Sequence, residues 1–366
     1  MSPAHVRATV FAQTDLGRTR DHNEDTFLIA DLTARTTCSL AGATEHDIGS
    51  RGCLFLVADG MGGAAAGEIA SAMAADAIYR HLLDVWAGVD DPSPEHFAER
   101  LREAVEQANR ELHSYAQGHP EVRGMGTTAT VGGIFQGALY LAQVGDSRAY
   151  LVRQGRTLQL TKDQSLTQRL VDAGEMTEEE AEQSSRRNII LQALGPDPRV
   201  KVDLTFLPLC RGDLILICSD GLSGQVRREE IGELASRELD PQALCGALIE
   251  LANSRGGPDN ITTVAVRMDG EGLPPADAEI AADYQPTPIL EQNTDEIPVA
   301  TTPIRSTQPI PAAKRPAAEP APEAEAPPPP AASGPEAIPA RIPARFAALG
   351  VGILALLALL YYFMSS

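Results

Sequence analysis

Five short acidic motifs could do chemistry together: Arg20-Asp21-His22-Asn23-Glu24-Asp25, Val57-Ala58-Asp59-Gly60, Val144-Gly145-Asp146-Ser147-Arg148, Ser219-Asp220-Gly221 and Pro258-Asp259-Asn260. Asp59-Gly60 or Asp220-Gly221 alone would read as an ordinary turn dipeptide. As a set they differ, because several of the carboxylates stand where an apolar run ends, which is where a sheet delivers side chains to a common edge. Carboxylates gathered at one edge repel each other and are costly to desolvate, so they persist together when hard cations neutralise them. The simplest reading is a multi-metal site.

The elements that must position these residues are short and apolar. Runs rich in Val, Leu, Ile and Phe recur at Ala8–Gln13, Thr26–Ala30, Cys53–Ala58, Thr128–Phe135, Ala138–Val144, Ala149–Arg153, Val202–Leu207, Leu214–Cys218 and Ile261–Val266. Each is followed by Gly, Asp or a polar cluster, and each predicts a strand. Helical periodicity marks Ala65–Leu83 and Glu95–Tyr115, then Leu166–Ala173, Glu229–Leu239 and Pro241–Asn253. Two groups of strands, each with a pair of long helices nearby, predict an α/β fold in which two sheets are sandwiched and covered by helices. The segment 161–195 is more polar, with capping signals at Asp163-Gln164-Ser165 and Thr177-Glu178-Glu179-Glu180.

Composition bounds the function. At 366 residues with a sharp change of composition near residue 270, the chain predicts one large globular domain, 1–269. A net charge of -20 argues against a nucleic-acid partner, which normally requires a basic patch to displace counterions. The five cysteines are odd in number and show no C-x-x-C spacing, the pattern of reduced thiols in a cytosolic domain. No signal-peptide pattern occupies the first thirty or so residues. From 270 to 345 the sequence turns to Pro, Ala, Glu and Thr, and predicts a disordered linker. Phe346–Met364 is uncharged and apolar; as a helix it would reach ~28 Å, close to a ~30 Å hydrocarbon core. It predicts a C-terminal transmembrane anchor. Arg341 and Arg345 before it place the N-terminal domain in the cytoplasm by the positive-inside rule, on the face of the cytoplasmic membrane.

The order and wording of the motifs resemble the metal-dependent protein phosphatase family, protein phosphatase 2C, and its bacterial branch in particular. The resemblance covers roughly 6–268. It includes Gln13-Thr14-Asp15-Leu16-Gly17 with Arg20 and Asn23-Glu24-Asp25, Ala58-Asp59-Gly60-Met61-Gly62-Gly63 and Ala66-Gly67-Glu68. Gly124-Met125-Gly126-Thr127-Thr128, Val144-Gly145-Asp146-Ser147-Arg148-Ala149-Tyr150, Thr161-Lys162-Asp163-Gln164-Ser165, Arg187-Asn188 with Ala193-Leu194-Gly195, and Asp259-Asn260-Ile261-Thr262 complete it.

The resemblance implies a four-layer α-β-β-α sandwich of two antiparallel sheets flanked by helices, with 161–195 as a mobile flap beside the active site. It implies hydrolysis of phosphoserine and phosphothreonine on proteins by a metal-activated water, against a cognate serine/threonine kinase, by a monomeric catalytic domain. In the site so implied, Asp59 is shared by two metal ions and the Gly60 carbonyl sits on the second. Asp220 and Asp259 complete the first, and Glu24 or Asp25 serves the second. Asp146 with Asp220 forms a third, weaker site. All these ligands are oxygens, which favours manganese or magnesium over zinc. Arg20 is placed on the substrate phosphate, whose oxygens its planar, permanently charged fork matches. Gly126-Thr127-Thr128, Ser147 and Arg148 are expected to fix backbone and turn geometry. The chain departs from the family pattern at Ala64, where most bacterial relatives carry a histidine, and in the flap at Leu191 and Gln192. The leaving group's proton is then left to His22, the one histidine inside a metal motif, or to a metal-held water.

Two other readings compete. Gly60-Met61-Gly62-Gly63-Ala64-Ala65 satisfies a dinucleotide-binding glycine pattern, but the second strand ending in an acidic residue that such a unit needs is missing. A membrane-tethered pseudophosphatase would bind phosphoproteins without hydrolysing them; every expected metal carboxylate is present, which speaks against it.

Overall fold

The computed structural model describes residues 5–37, 44–237 and 240–276, and the two residue pairs 287–288 and 304–305. The strands are β1 (Arg7–Asp15), β2 (Asp25–Asp31), β3 (Thr36–Thr37), β4 (Thr44–Asp47), β5 (Cys53–Met61), β6 (Gly126–Thr127), β7 (Ala129–Phe135) and β8 (Ala138–Val144). They continue with β9 (Arg148–Arg153), β10 (Arg156–Gln159), β11 (Ile189–Ile190), β12 (Asp203–Pro208), β13 (Leu214–Cys218) and β14 (Ile261–Asp269). The helices are α1 (Ala64–Val85), α2 (Pro94–Gly118), α3 (Leu166–Asp172), α4 (Glu178–Gln183), α5 (Asp220–Ser223), α6 (Arg228–Arg237) and α7 (Pro241–Ser254). One sheet runs β10-β9-β13-β14-β1-β4 and the other β12-β8-β7-β5-β2-β3, with β6 paired to β5. Every pairing along both paths is antiparallel.

The two-residue period of a strand sorts its side chains between layers. In β5, Cys53, Phe55 and Val57 enter the core between the sheets, while Leu54, Leu56 and Ala58 face the core under α1 and α2. In β13, Ile215 and Ile217 join the same central core, and Leu214, Leu216 and Cys218 face the layer of α6 and α7. Strands buried on both faces read as unbroken apolar runs, which is why these two were legible. The result is helix, sheet, sheet, helix, as expected.

Helix starts follow local chemistry. Ser93 caps α2 by accepting from His96 N–H at 3.2 Å, with Pro94 in the first turn; Asp240 does the same for α7 from Ala243 N–H at 3.0 Å, with Pro241 following. Both capping signals in 161–195 are used: Ser165 caps α3, and Thr177 and Glu180 form a reciprocal capping box on α4. A buried ion pair ties β9 to the turn before β13. Arg153 Nε and Nη2 donate to the Asp213 carboxylate at 2.7 and 2.6 Å, and Cys210 N–H donates to it at 2.7 Å.

Packing against the domain continues past Asp269. Gly272 N–H donates to the His5 carbonyl at 2.9 Å, Arg211 N–H to the Pro274 carbonyl at 2.8 Å, and Leu273 is buried in the central core. Leu273 supplies apolar surface to that core that the neighbouring prolines and glycines conceal in the sequence. Thr287–Pro288 pairs with β12, and Ile304–Arg305 with β11, within the stretch expected to be linker. Among the described residues no helix is long and apolar enough to cross a membrane; the expected anchor, 346–364, lies outside them, as does most of the expected linker.

Candidate metal centre and active site

Antiparallel pairing brings the acidic motifs to one edge. The end of β5 lies against the start of β2, with Asp25 opposite Asp59 in the register. Similarly, β13 ends beside the start of β14, so Ser219-Asp220 and Asp259-Asn260 meet. Two connections cross between the sheets at this edge. The loop from β1 to β2 carries Arg20 and Glu24, and the tight turn from β8 to β9 carries Asp146. The sequence brings these ends together because each motif follows or precedes an apolar strand in alternate directions.

The carboxylates perturb one another. Asp25 and Asp146 are buried, while Asp59, Asp220 and Asp259 keep part of their surface open. Burial first, then repulsion from Asp259 and Asp220, raises Asp25 from 3.8 to about 7, against hydrogen bonds from Thr262 and Ser219 that pull it down. Asp59 is held well above the ordinary carboxylate range by burial and by Asp25, Asp220, Asp259 and Asp146. Asp220 rises to about 6 through burial and Asp259, opposed by a hydrogen bond with Asp59 and the positive charges of Arg187 and Arg20. Asp146 is raised well above its usual value by burial, Asp220 and Asp163, with Arg148 opposing. Burial likewise raises Glu24, against Arg20. Arg20 Nη2 donates to Asp259 Oδ2 at 2.8 Å.

Backbone and side-chain hydrogen bonds hold the acidic groups in place. Asp59 N–H donates to Thr128 Oγ1 at 2.9 Å and Thr127 Oγ1 donates to the Asp59 carbonyl at 2.9 Å, the supporting role expected of that motif. Thr128 Oγ1 also meets Ser147 Oγ at 2.8 Å, and Arg148 clamps Asp163 through Nε and Nη2, so the Asp146 turn is fixed on both sides. Gly60 N–H donates to the Glu24 carbonyl at 3.1 Å, and a side chain at Gly60 would overlap the carbonyl oxygens of Gly67 and Glu24. That close approach of strand to helix, with β5 antiparallel to both neighbours, accounts for the glycines without a dinucleotide.

Three residues had no assigned role in the sequence reading. Ser219 Oγ donates to Asp25 Oδ2 at 2.8 Å and accepts from Thr262 N–H at 3.0 Å, linking the two sheets beneath the site. Asn260 accepts from Glu24 N–H at 2.9 Å and donates to the carbonyls of Leu16 and His22, pinning the loop that carries Arg20. Arg187 reaches from the 161–195 segment close enough to lower Asp220. Each stands inside or beside a quoted motif, which was the available signal. In the flap, Gln192 accepts from Lys201 N–H at 3.2 Å and so ties one of the two departures to the loop after it. His22 is exposed, and its charge is felt by Glu24.

The fit to hard cations rests on three observations. The donors are all oxygens; Asp146 Oδ1 is buried with no hydrogen-bond partner; and the mutual repulsion of Asp25, Asp59, Asp146 and Asp220 is what a divalent cation would relieve. Among the described residues no three His, Cys, Asp or Glu side chains stand close enough to form a ready-made cage.

An acidic edge built from two antiparallel sheets, with an arginine beside it, offers oxygen donors to hard cations and a positive fork to an anion. The model of the protein phosphatase 2C family matches residues 41–248, and the chain belongs to that family. It is 36% identical over 258 residues to the serine/threonine phosphatase stp of Listeria monocytogenes, covering 70% of this chain and 94% of that one. It is 40% identical over 239 residues to the serine/threonine protein phosphatase PstP of Mycobacterium tuberculosis, covering 65% of this chain and 45% of that one. Among solved structures it resembles the catalytic domain of PstP in complex with two manganese ions, at 35% identity and a TM-score of 0.58, covering 72% of this chain and 99% of that one. Stp1 from Staphylococcus aureus is similar at 32% identity and a TM-score of 0.61, covering 70% and 94%.

Proposed function

We infer that this chain is a bacterial-type, metal-dependent protein serine/threonine phosphatase. The observation that carries the reading is the convergence of Asp25, Asp59, Asp146, Asp220 and Asp259 on one edge beside Arg20, where burial and neighbouring carboxylates raise Asp25, Asp59, Asp146 and Asp220. Asp59, which both ions would share, the Gly60 carbonyl, Asp220, Asp259 and Glu24 or Asp25 would hold two manganese or magnesium ions. Asp146 and Asp220 would hold a third. When bound, such ions would polarise phosphoryl oxygens and lower the pKa of a bound water toward ~7.

The remaining work belongs to the chain's own side chains. Arg20 binds the substrate phosphate, and its pairing with Asp259 positions the guanidinium at the edge before substrate arrives. Asn260 holds the loop behind Arg20, and Thr127 and Thr128 hold the backbone of Asp59, so neither group must be ordered at the moment of reaction.

Turnover of p-nitrophenyl phosphate and a phosphothreonine peptide tests this reading. EDTA should abolish it, manganese should restore it, and Asp59→Asn should lower it by roughly two orders of magnitude or more in a folded protein. Full activity after exhaustive chelation, restoration by zinc alone, or near-parental turnover of Asp59→Asn would sink it.

The cellular setting is a further part of the proposal. A cognate serine/threonine kinase and its substrates are the counterparts, the catalytic domain acts as a monomer, and the apolar stretch 346–364 anchors it to the cytoplasmic membrane face. Fractionation of the full chain decides the anchor: recovery in the soluble fraction without detergent would rule it out.

A further inference from the structure

A groove of about 1450 Å³ includes Asp220 and Asp259 and extends along the 161–195 segment and the start of α6. Its lining is uneven in charge. Glu178 and Glu182 of α4 contribute one stretch, and Arg227, just before α6, contributes another. Most basic side chains of the groove are held by carboxylates: Arg20 by Asp259, Arg148 by Asp163, Lys162 by Asp172, Arg228 by Glu229 and Arg255 by Glu230.

Arg187 and Arg227 have no such carboxylate, but Arg187 Nη1 donates to the Glu182 carbonyl at 3.4 Å and its charge acts on Asp220, whereas Arg227 has neither tie at its side chain. Its backbone N–H donates to Glu230 Oε2 at 3.0 Å and its carbonyl accepts from Ile231 N–H at 3.0 Å, so its place at the groove is fixed. The carboxylate that holds this backbone is already committed to Arg255, whose Nη1 and Nη2 donate to it at 2.8 and 2.5 Å. Among the described residues the exposed Arg227 guanidinium therefore has no ion-pair partner. In a chain of net charge -20, an exposed arginine lining the groove that also includes Asp220 and Asp259 suits an anionic group brought in by the substrate.

We propose that Arg227 is a specificity-determining residue that pairs with an Asp or Glu flanking the phosphorylated residue of the substrate protein. This rests on the phosphatase reading and deepens it. The preference is one-sided along the peptide, because an acidic residue directed instead toward α4 meets Glu178 and Glu182. Arg227 touches no reacting atom; it selects and orients the segment that carries the phosphate.

The test uses the manganese-loaded enzyme and phosphothreonine peptides of one length, with a single Asp stepped through the positions on either side of the phosphoresidue. The parent should favour an acidic residue on one side by about three- to fivefold in kcat/KM, the scale of an exposed ion pair, with the effect in KM and weakening as salt is added. Arg227→Gln should remove the preference, Arg227→Lys should keep much of it, and Arg227→Glu should favour Lys-bearing peptides instead. Thermal unfolding of each variant checks that it folds. A parent that hydrolyses all the peptides equally, or a preference that survives in Arg227→Gln, overturns this inference alone. A parent that hydrolyses none of them overturns the phosphatase reading and this inference with it.

Discussion

Stripped of divalent metal, the protein should become less stable as the pH rises from about 4 to about 7. Burial and mutual repulsion raise Asp25 from 3.8 to about 7 and Asp220 from 3.8 to about 6, with Asp59 and Asp146 also well above the ordinary range. Over this window the folded state keeps protons that the unfolded chain has already lost. Stability from this source is therefore fully present below the unfolded values and is lost as the pH rises through the folded ones. At about 1.4 kcal/mol per tenfold change in proton affinity, the rise at Asp220 corresponds to ~3 kcal/mol and that at Asp25 to ~4 kcal/mol. The carboxylates share protons and titrate as a unit, so the two are not added, and ~4 kcal/mol is taken for the cluster. For a domain of this size that is roughly 10 °C in Tm. The assay is thermal unfolding of EDTA-treated protein at about pH 5 and about pH 7.5, with and without manganese chloride; ~2–3 kcal/mol of the loss, roughly 6 °C, falls between these two values. Manganese should add more to Tm at the higher pH, because it takes the place of protons that are held only at the lower one. Asp25→Asn with Asp220→Asn should flatten the metal-free slope, since the amide stays neutral. A metal-free Tm that holds or climbs between the two pH values, or a double variant with the parental slope, would refute the reasoning.

Two further outcomes follow from other buried groups. Asp213→Ala should cost ~3–5 kcal/mol, because it strips the buried Arg153 guanidinium of its carboxylate, and chemical denaturation should show it. Replacing both partners by apolar residues, Arg153→Met with Asp213→Leu, should recover most of that loss; a single variant costing less than about 1 kcal/mol would contradict the account. Burial pushes the Cys218 and Cys245 thiols up to about 12, so at about pH 8 neither should react with a thiolate-selective disulfide reagent in the native protein. Mass mapping of labelled peptides checks this, and fast native labelling of either cysteine would count against the buried assignment.

The sequence by itself determined the central strands and the acidic edge. Cys53–Ala58, Leu214–Cys218 and Ile261–Val266 are buried on both faces, so their apolar runs are long enough to read, and each leads into or out of an acidic motif. It also determined the helix starts at Ser165 and Thr177, because capping is a contact between near neighbours in the chain. It could not show β4 or β10. Thr44–Asp47 and Arg156–Gln159 are outer strands with polar, partly exposed side chains, held by backbone pairing to β1 and β9, and carry no hydrophobic alternation to detect.

Only the tertiary structure decided which groups meet across long separations. Asp25 lies opposite Asp59 because β2 and β5 pair, and Ser219 reaches Asp25 because two sheets stack; neither proximity has a period in sequence. The same holds for Arg227, which is an ordinary surface arginine until Glu230 is seen to be taken by Arg255 and the groove is seen to pass it. Residue type and local spacing fix what a side chain can do and which backbone shape it favours. Which charges stay paired, and which carboxylates must share protons or metal, depends on through-space distances and burial that arise only when the sheets close on each other.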